Sequence, residues 1–247
     1  MLVSDNLVVI PTYNEKENVE AMVRKVLSLA DGFDILIVDD GSPDGTAAIV
    51  QRLQETFPER LSLLQREGKQ GLGTAYIAGF KWALVRNYTY IFEMDCDFSH
   101  DPDDLPRLLA ACRNGGADLA IGSRYKSGVN VVNWPMGRVL MSYFASKYVR
   151  FVTGLPVNDT TAGFKCYHRS VLETIRLDNI RNKGYAFQIE MKFTAWKCGF
   201  NIVEVPIVFT DRKAGSSKMS GGIFSEALWG VILLKIKSWF TKFPTRP

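Results

Sequence analysis

Asp95 and Asp97 are the residues of this 247-residue chain whose type and spacing are best suited to chemistry. They follow residues 88–94, a run typical of a buried strand, which predicts that they lie at the carboxyl end of that strand. Two carboxylates in such a position can share a hard divalent cation, Mg²⁺ or Mn²⁺, which in turn can hold a diphosphate. A second Asp-x-Asp begins at Asp101, but there Asp101 and Pro102 predict the N-cap and first residue of a helix. The pair at 95 and 97 is therefore the candidate metal site.

The elements that must position these carboxylates alternate regularly along the chain. Short apolar runs predict strands, and the amphipathic segments between them predict helices. Strands that are apolar on both faces predict a mainly parallel sheet with helices on both sides, an α/β fold. The predicted strands are 7–10, 35–38, 61–64, 88–94 and 119–121, and the predicted helices are 15–30, 44–57, 72–85 and 102–114.

Polar residues follow four of the predicted strands. Ligands of parallel sheets bind at the carboxyl ends of the strands, so these four segments are expected to meet at one edge. The sequence therefore predicts a single binding site there, formed by residues 11–15, 39–42, 69–71 and 95–97.

Composition predicts one compact domain with a short C-terminal addition. A hydrophobic content of 47% is ordinary for a globular protein of this length. The four cysteines have no zinc-ligand spacing and predict reduced thiols in a cytoplasmic protein. No signal peptide and no spanning apolar run is predicted. We assign residues 1–220 to a catalytic domain and 221–247 to an amphipathic basic helix.

Positive charge is concentrated in two segments. Residues 212–247 carry seven Lys or Arg against one Glu. A helix near 137–153 places Arg138, Ser142, Ser146 and Arg150 on one face and apolar side chains on the others. Both helices could lie at a membrane surface, and the first could also hold a lipid phosphate. The alternatives are a packed helix with a solvated basic edge and a C-terminal helix docked on the core. Because no nucleic-acid motif accompanies the charge, no nucleic-acid partner is predicted.

Ordered motifs carry a resemblance to a known family. Residues 9–15, 38–45 and 94–100 resemble those of family 2 glycosyltransferases, which have the Rossmann-like GT-A fold. Residues 122–125, 133–135, 138–142, 159–164 and 215–219 resemble those of the dolichol-phosphate (polyprenol-phosphate) mannose synthases. The resemblance extends from residue 7 to about 225. It implies inverting transfer of mannose from GDP-mannose to a polyprenyl (dolichyl) phosphate, at the cytoplasmic face of a membrane and with Mg²⁺ or Mn²⁺. A membrane-anchored partner protein is a further partner that it allows.

The resemblance also implies roles for individual residues. The metal ligands would be Asp95 and Asp97, and the catalytic residues Asp97, Arg124 and Arg212. The lipid phosphate would meet Arg124, Arg138 and Ser142. The nucleotide sugar would meet Pro11, Tyr13, Glu15, Val38, Asp40, Lys69, Asp95, Cys96, Asp97, Arg124, Gln188, Arg212 and Lys218.

Some positions leave alternatives open. Ser99 stands where a relative has an amide side chain, so a third metal contact is undecided, and Cys96 is expected to contribute its backbone and packing. His100 and His168 are expected to be turn or cap residues, and Glu190 to support the site or a lipid groove. Segment 210–222 is expected to close over the donor.

Two other functions are compatible with the motifs. One is a sister enzyme that uses UDP-glucose or UDP-GlcNAc, and the other is an inactive nucleotide-sugar-binding protein. The second is disfavoured because the candidate carboxylates and basic residues are intact.

Overall fold

A seven-stranded sheet forms the centre of the protein, described here from a computed structural model that covers residues 4–180, 182, 184–211 and 222–246. Its strand order is β3-β2-β1-β4-β7-β5-β8, and every neighbouring pair is parallel except those made by β7. A separate parallel pair, β6 and β9, lies beside it. The strands are β1 (Asn6–Thr12), β2 (Asp34–Asp39), β3 (Leu61–Gln65), β4 (Tyr90–Glu93), β5 (Leu119–Ser123), β6 (Val131–Val132), β7 (Lys165–His168), β8 (Ile202–Pro206) and β9 (Phe209–Thr210).

Helices cover both faces of the sheet. One apolar core lies between the sheet and α1, α2 and α4, and the other lies between the sheet and α3, α6 and α7. This arrangement confirms the predicted α/β class with a mainly parallel sheet. The helices are α1 (Val19–Leu27), α2 (Thr46–Thr56), α3 (Leu72–Leu84), α4 (Leu105–Arg113), α5 (Met136–Thr153), α6 (Arg169–Thr174), α7 (Gly184–Lys197) and α8 (Gly222–Phe240).

Strand β1 shows why its sequence is apolar throughout. Leu7 and Val9 point into one core and Val8 and Ile10 into the other, because successive side chains of a strand alternate between faces. Helix α3 approaches this strand closely at Gly79, where a Cβ atom would lie 2.4 Å from Val9 Cγ1. A glycine is therefore needed for α3 to pack at this distance from the sheet.

The first predicted helix is too long at its N-terminal end. Residues 15–18 form a turn, in which the Glu15 carbonyl accepts from the backbone N–H groups of Asn18 and Val19 at 3.0 and 2.9 Å. The Glu15 N–H donates to Thr46 Oγ1 at 3.0 Å, which ties the turn to the start of α2. These residues therefore bridge two elements at the sheet edge, and α1 begins only at Val19.

The segment after residue 100 confirms the predicted helix start. Asp101 accepts from the Asp103 N–H at 3.0 Å, and Pro102 is the first residue of a 3₁₀ turn, Pro102–Asp104, that leads into α4. The carboxylate of Asp101 is thus used as a cap, which distinguishes it from the carboxylates at 95 and 97.

Helices α5 and α8 pack together and expose apolar side chains. Val149 of α5 and Val231 of α8 are buried in one cluster, and Lys235 Nζ donates to the Thr153 carbonyl at 3.2 Å. The C-terminal helix is therefore docked on the protein, as one of the two alternatives predicted. The remaining surface of the pair, termed the α5–α8 apolar face, consists of Leu140, Met141, Phe144, Phe151, Trp229, Leu233, Ile236, Trp239 and Phe240, all exposed.

The polar face predicted for α5 is turned partly inward. Ser146 is buried, and Arg150 Nη1 donates to Asn158 Oδ1 at 2.7 Å. The sequence pattern alone does not show that this face packs on the protein while the apolar side chains point outward. Among the helices that the structure describes, none has the length and apolar character needed to cross a membrane.

Candidate active site

The carboxyl ends of β1, β2, β3 and β4 meet at one pocket of about 350 Å³. All four segments predicted to converge contribute to it, together with residues from the second half of the chain. The first half supplies Pro11, Thr12, Tyr13, Glu15, Asp40, Lys69, Gly71, Leu72, Ala75, Asp95, Cys96, Asp97, Ser99 and His100. The second half supplies Gly122, Arg124, Trp134, Arg138, Thr161, Ala162, Gly163, Gly184, Gln188, Ile207 and Phe209.

Asp95 and Asp97 both line this pocket, and neighbouring groups fix their positions. Asp97 Oδ1 accepts from the Ser99 N–H at 3.1 Å and from the Ser99 hydroxyl at 2.5 Å. Asp95 Oδ1 accepts from the Tyr76 hydroxyl at 3.3 Å. Ser99 therefore orients a carboxylate, which gives a physical role to the position that the sequence left undecided.

The chemistry of these donors fits Mg²⁺ or Mn²⁺. Both are hard cations that bind oxygen, and Mg²⁺ is commonly held by one or two carboxylates, with substrate phosphates and water as its other ligands. In the part of the chain that the structure describes, no cluster of three or more His, Cys, Asp or Glu side chains suited to a metal is found. A pair of carboxylates open to a diphosphate is thus the arrangement that the pocket offers.

His100 forms a wall of the pocket beside the two carboxylates. Its ring stacks on Phe164 and meets the edge of Phe209, with centroid distances of 5.1 and 5.2 Å. Burial lowers the pKa of His100 to about 4, and the Arg124 charge adds to this, against the opposing effect of Asp97. The ring is therefore neutral at pH 7, and its Nδ1 accepts from the Asp95 backbone N–H at 3.5 Å across the turn, so His100 is a turn residue, as predicted, that also lines the pocket. His168, by contrast, is confirmed as a cap, since its Nδ1 accepts from the Ser170 N–H.

The pocket end formed by β1 and β2 combines an aromatic ring with buried carboxylates. Lys69 Nζ lies 5.1 Å from the ring centroid of Tyr13. Asp40 Oδ2 accepts from the Gln70 N–H at 3.2 Å, and its Oδ1 lies 3.3 Å from Arg66 Nε without forming a hydrogen bond within the described residues. An aromatic face beside an acceptor of this kind suits a nucleoside base with N–H donors.

Asp39 holds the loop after β2, although no individual role was predicted for it. Asp39 accepts from the Thr12 hydroxyl at 2.9 Å and from the N–H and hydroxyl of Ser42 at 2.9 and 2.6 Å. Asp39 is fully buried. Its carboxylate therefore joins the ends of β1 and β2, and Asp40 next to it reaches the pocket.

A buried charged cluster lies directly behind the pocket. Glu93 accepts from Lys165 Nζ at 2.7 Å, from Gln188 Nε2 at 2.9 Å and from the Tyr167 hydroxyl at 2.8 Å. Lys165 also contacts the Gln188 side-chain oxygen. Burial lowers the pKa of Lys165, and the Glu93 charge opposes this effect. Gln188 is the one member that also lines the pocket, so the cluster connects the sheet to the pocket wall.

Arg124 lies in the pocket wall as half of a buried ion pair. Its Nε and Nη2 donate to the two carboxylate oxygens of Asp159 at 2.7 and 2.6 Å, and its backbone N–H donates to the same carboxylate at 3.0 Å. Burial alone would raise the pKa of Asp159, but the charge and hydrogen bonds of Arg124 together lower it. Fully buried Lys192 supports the following loop by donating to the carbonyls of Thr160 and Ala162 at 3.0 and 2.7 Å.

Arg138, in the first turn of α5, reaches the rim of the same pocket. Its guanidinium lies 4.1 Å from the ring centroid of Trp134, and its Nη1 donates to Asp211 Oδ1 at 3.0 Å. The rim therefore carries a stacked cation in the same pocket as Asp95 and Asp97.

Comparison with known proteins assigns the chain to a family. Residues 7–176 match the sequence profile described as Glycosyl transferase family 2. The chain belongs to this family. A polyprenol monophosphomannose synthase of Mycolicibacterium smegmatis is 49% identical over 230 residues, covering 91% of this chain and 86% of that protein. An undecaprenyl-phosphate mannosyltransferase of Micrococcus luteus is 46% identical over 230 residues, covering 91% of this chain and 93% of that protein.

Solved structures resemble this family 2 glycosyltransferase in fold. The glucosyl-3-phosphoglycerate synthase of Mycobacterium tuberculosis, solved with Mn²⁺, UDP and its product, has a TM-score of 0.65 at 16% identity and covers 94% of this chain and 78% of its own. A mannosyltransferase of Pyrobaculum calidifontis, solved with GDP-Man and Mn²⁺, has a TM-score of 0.60 at 17% identity. The match covers 97% of this chain and 66% of that one. These likenesses confirm the predicted GT-A fold.

The structure of this glycosyltransferase brings most of the predicted site residues together, with two exceptions. The Val38 side chain is fully buried in the core against α3, and Val38 is not part of the pocket lining, so its predicted contact with the nucleoside stays a prediction. Ser142 is half-buried on α5 and is not part of the pocket lining. Arg212 and Lys218, with most of segment 210–222, lie outside the described residues. The other predicted residues line the pocket: Pro11, Tyr13, Glu15, Asp40, Lys69, Asp95, Cys96, Asp97, Arg124, Arg138 and Gln188.

The structure shows what surrounds Glu190 and Cys96, for which the sequence predicted only general supporting roles. Glu190 accepts from the Asn182 backbone N–H at 3.0 Å and from its side-chain amide at 2.7 Å, so it holds the segment before α7. Cys96 is buried between the two candidate metal ligands, in agreement with a packing role. The four cysteines are all buried and none forms a disulfide.

Proposed function

We propose that this glycosyltransferase transfers mannose from GDP-mannose to a polyprenyl phosphate and forms a β-linked polyprenyl phosphate mannose. The main support is the pocket itself, in which Asp95 and Asp97 face aromatic, acidic and basic groups from both halves of the chain. The names of the two relatives support mannose as the sugar that is transferred and a polyprenyl phosphate as the acceptor. The identity of the donor as GDP-mannose is part of the proposal.

The nucleoside would bind at the end of the pocket formed by β1 and β2. Tyr13 and Pro11 offer a flat apolar surface for the base, and Asp40 offers an acceptor for base N–H groups. Glu15 is at the same end and could accept from ribose hydroxyls, and Lys69 would meet phosphate charge. This division leaves the Asp95–Asp97 end for the diphosphate and the sugar.

Asp95 and Asp97 would hold Mg²⁺ or Mn²⁺ against the diphosphate. When bound, such a cation neutralises the charge that develops on the leaving diphosphate. The protein's own contribution is to fix the two carboxylates, through Ser99 at Asp97 and Tyr76 at Asp95. Neutral His100 closes this side of the pocket and adds no competing positive charge.

The acceptor would enter from the side of Arg138. An oxygen of the acceptor phosphate attacks the anomeric carbon, the bond from that carbon to the diphosphate oxygen breaks, and GDP leaves with the electron pair. Attack opposite the leaving group converts an α-linked donor into a β-linked product. Because a phosphate monoester is already anionic at neutral pH, the reaction needs no strong general base. Positioning and electrostatic stabilisation therefore account for most of the catalysis.

We further propose that the α5–α8 apolar face rests on the membrane that contains the acceptor. The face combines exposed Phe and Trp side chains with nearby Lys147 and Lys237, a combination that suits an interface with anionic lipid. Since Arg138 lies on the same helix, a membrane at this face would present the lipid phosphate near the pocket rim. The enzyme would then be peripheral at the cytoplasmic face, with α8 as part of its membrane surface.

Placing charge in this face should separate membrane binding from catalysis. Phe144 and Phe151 are 62% and 90% exposed, so Phe144→Asp with Phe151→Asp should fold normally. We expect binding to anionic vesicles to fall on the order of tenfold, because two apolar contacts are replaced by charges repelled by the lipid. Transfer to a short, water-soluble prenyl phosphate should stay unchanged. Val85→Asp, at an equally exposed apolar residue outside the face, is the matched control, and equal vesicle binding by both variants would contradict the proposal.

The proposed function is tested by incubating the enzyme with labelled GDP-mannose, UDP-glucose or UDP-GlcNAc and a polyprenyl phosphate. We expect a labelled mannolipid from GDP-mannose, formed with Mg²⁺ or Mn²⁺ and lost when EDTA is added. Turnover of a uridine donor alone would replace the proposed donor and leave the acceptor. If folded enzyme forms no lipid product from any donor, the proposed function is wrong.

A further inference from the structure

Both arginines that line the described pocket meet an aspartate, but the two pairs differ in exposure and contact. The Arg124–Asp159 pair is bidentate and almost completely buried. Separating a buried pair leaves an unpaired charge in the interior and is strongly unfavourable. This pair is therefore a fixed part of the wall.

The Arg138–Asp211 pair is open to exchange. Among the described residues, the Arg138 and Asp211 side chains share one N–H···O contact of 3.0 Å, and they are 26% and 30% exposed. Ion pairs with one contact and access to water contribute little to stability, since water replaces the partner at low cost. A stronger anion that reaches the rim can therefore displace Asp211 from Arg138.

Both partners of this pair would keep their places after such an exchange. The Arg138 guanidinium is stacked over Trp134, a contact that does not depend on the carboxylate. The Asp211 backbone N–H donates to the Val132 carbonyl at 3.0 Å, directly after the β6–β9 pair. The first turn of α5 adds positive partial charge beside Arg138. An anion would thus find a preformed site that Asp211 partly fills.

We propose that Asp211 is a specificity-determining residue that occupies Arg138 in the resting enzyme and yields it to the acceptor phosphate. The inference rests on the proposed function. A phosphate monoester carries nearly two negative charges and three acceptor oxygens, whereas Asp211 carries one charge and two oxygens. A dianionic phosphate therefore binds Arg138 more strongly than Asp211 does and displaces it. A singly charged lipid gains no electrostatic advantage over Asp211 and is rejected.

Asp211→Asn tests this exchange in the full-length enzyme. The variant keeps the size of the side chain and removes the competing charge, so the KM for polyprenyl phosphate should fall on the order of fivefold. The KM for the nucleotide sugar should stay unchanged. A long-chain fatty-acid carboxylate, used as a singly charged competitor, should inhibit the variant more strongly than the wild type. Asp178→Asn removes the same charge from an exposed pair with Lys81 and should change none of these values.

Two results with these variants would contradict the exchange on Arg138. An unchanged or higher acceptor KM in Asp211→Asn, or the same change in Asp178→Asn, would overturn the inference. Adding Arg138→Ala should abolish the effect of Asp211→Asn, because the exchange takes place on Arg138. If the effect persists without that arginine, Asp211 acts in another way and the inference is wrong.

Calorimetric binding of a short-chain prenyl phosphate, without a donor, separates this inference from the proposed function. If the wild type forms no mannolipid, the proposed function fails. Tighter binding of the prenyl phosphate by Asp211→Asn than by the wild type would still support the exchange. Equal binding by the two proteins would overturn the exchange even if the wild type is an active mannosyltransferase.

Discussion

Asp97→Asn is expected to lower the rate of sugar transfer on the order of a thousandfold, which corresponds to about 4 kcal/mol of transition-state stabilisation. The amide keeps the shape of the side chain and can still accept from Ser99, but it lacks the charge that a divalent cation requires. The fold should be retained, because the amide has the size of the carboxylate, keeps an oxygen for the Ser99 N–H and hydroxyl, and removes a charge close to Asp95.

The measurement is the initial rate of mannolipid formation at saturating Mg²⁺ or Mn²⁺, together with the thermal unfolding midpoint. Asp103→Asn is the matched control, since Asp103 belongs to the second Asp-x-Asp and pairs with Lys25 on the surface. It should keep activity within about twofold, as expected for an exposed ion pair. Near-normal transfer by Asp97→Asn would remove Asp97 from the metal site.

Glu93→Ala is expected to have the largest effect on stability, about 3–5 kcal/mol, because it leaves Lys165 buried without its carboxylate. Tyr167 and Gln188 lose an acceptor in the same substitution. For a protein of this size, the thermal unfolding midpoint should fall by about 10 °C. The measurement is thermal unfolding followed by circular dichroism, with urea unfolding to obtain the free energy.

Two further variants show whether the buried charge is the cause. Glu20→Ala removes an exposed partner of Arg24 and should cost less than about 0.5 kcal/mol. Combining Glu93→Ala with Lys165→Met removes both charges, so the double variant should be more stable than Glu93→Ala alone. If Glu93→Ala is no less stable than Glu20→Ala, the cluster behind the pocket does not support the sheet in the way we describe.

Much of the half of the pocket that we propose binds the nucleotide could be predicted from the sequence, because its signals are local. The apolar runs predicted the first five strands, and the polar residues after four of them predicted the pocket edge. Asp95 and Asp97 could be distinguished from Asp101 by the strand that precedes them. The burial of the Val38 side chain could not be predicted in the same way, since a residue next to a strand end can point either to the ligand or into the core.

The interior contacts could not be predicted, because they join residues that are distant in sequence. Lys165 and Lys192 are lysines, which are usually exposed, and only the packing of β7 and α7 on the sheet shows that both are fully buried. The Arg124–Asp159 and Arg138–Asp211 pairs likewise depend on loops meeting in three dimensions. A lysine within the otherwise apolar segment 164–167 was an available signal.

Strand β7 has a consequence for how such enzymes diversify. Because it runs antiparallel between β4 and β5, the loop that enters it, 159–163, arrives at the edge where the parallel strands end. The end of the pocket where we propose that the donor binds is thus formed by loops that leave the sheet, and this side of the pocket by a loop that enters it. Asp159 in that entering loop is held by Arg124, and the Thr160 and Ala162 carbonyls are held by Lys192, so changes there alter the pocket wall and leave the order of the first four strands untouched. This side of the pocket can therefore diversify through one return segment, while the strands that form the proposed nucleotide end are inherited intact.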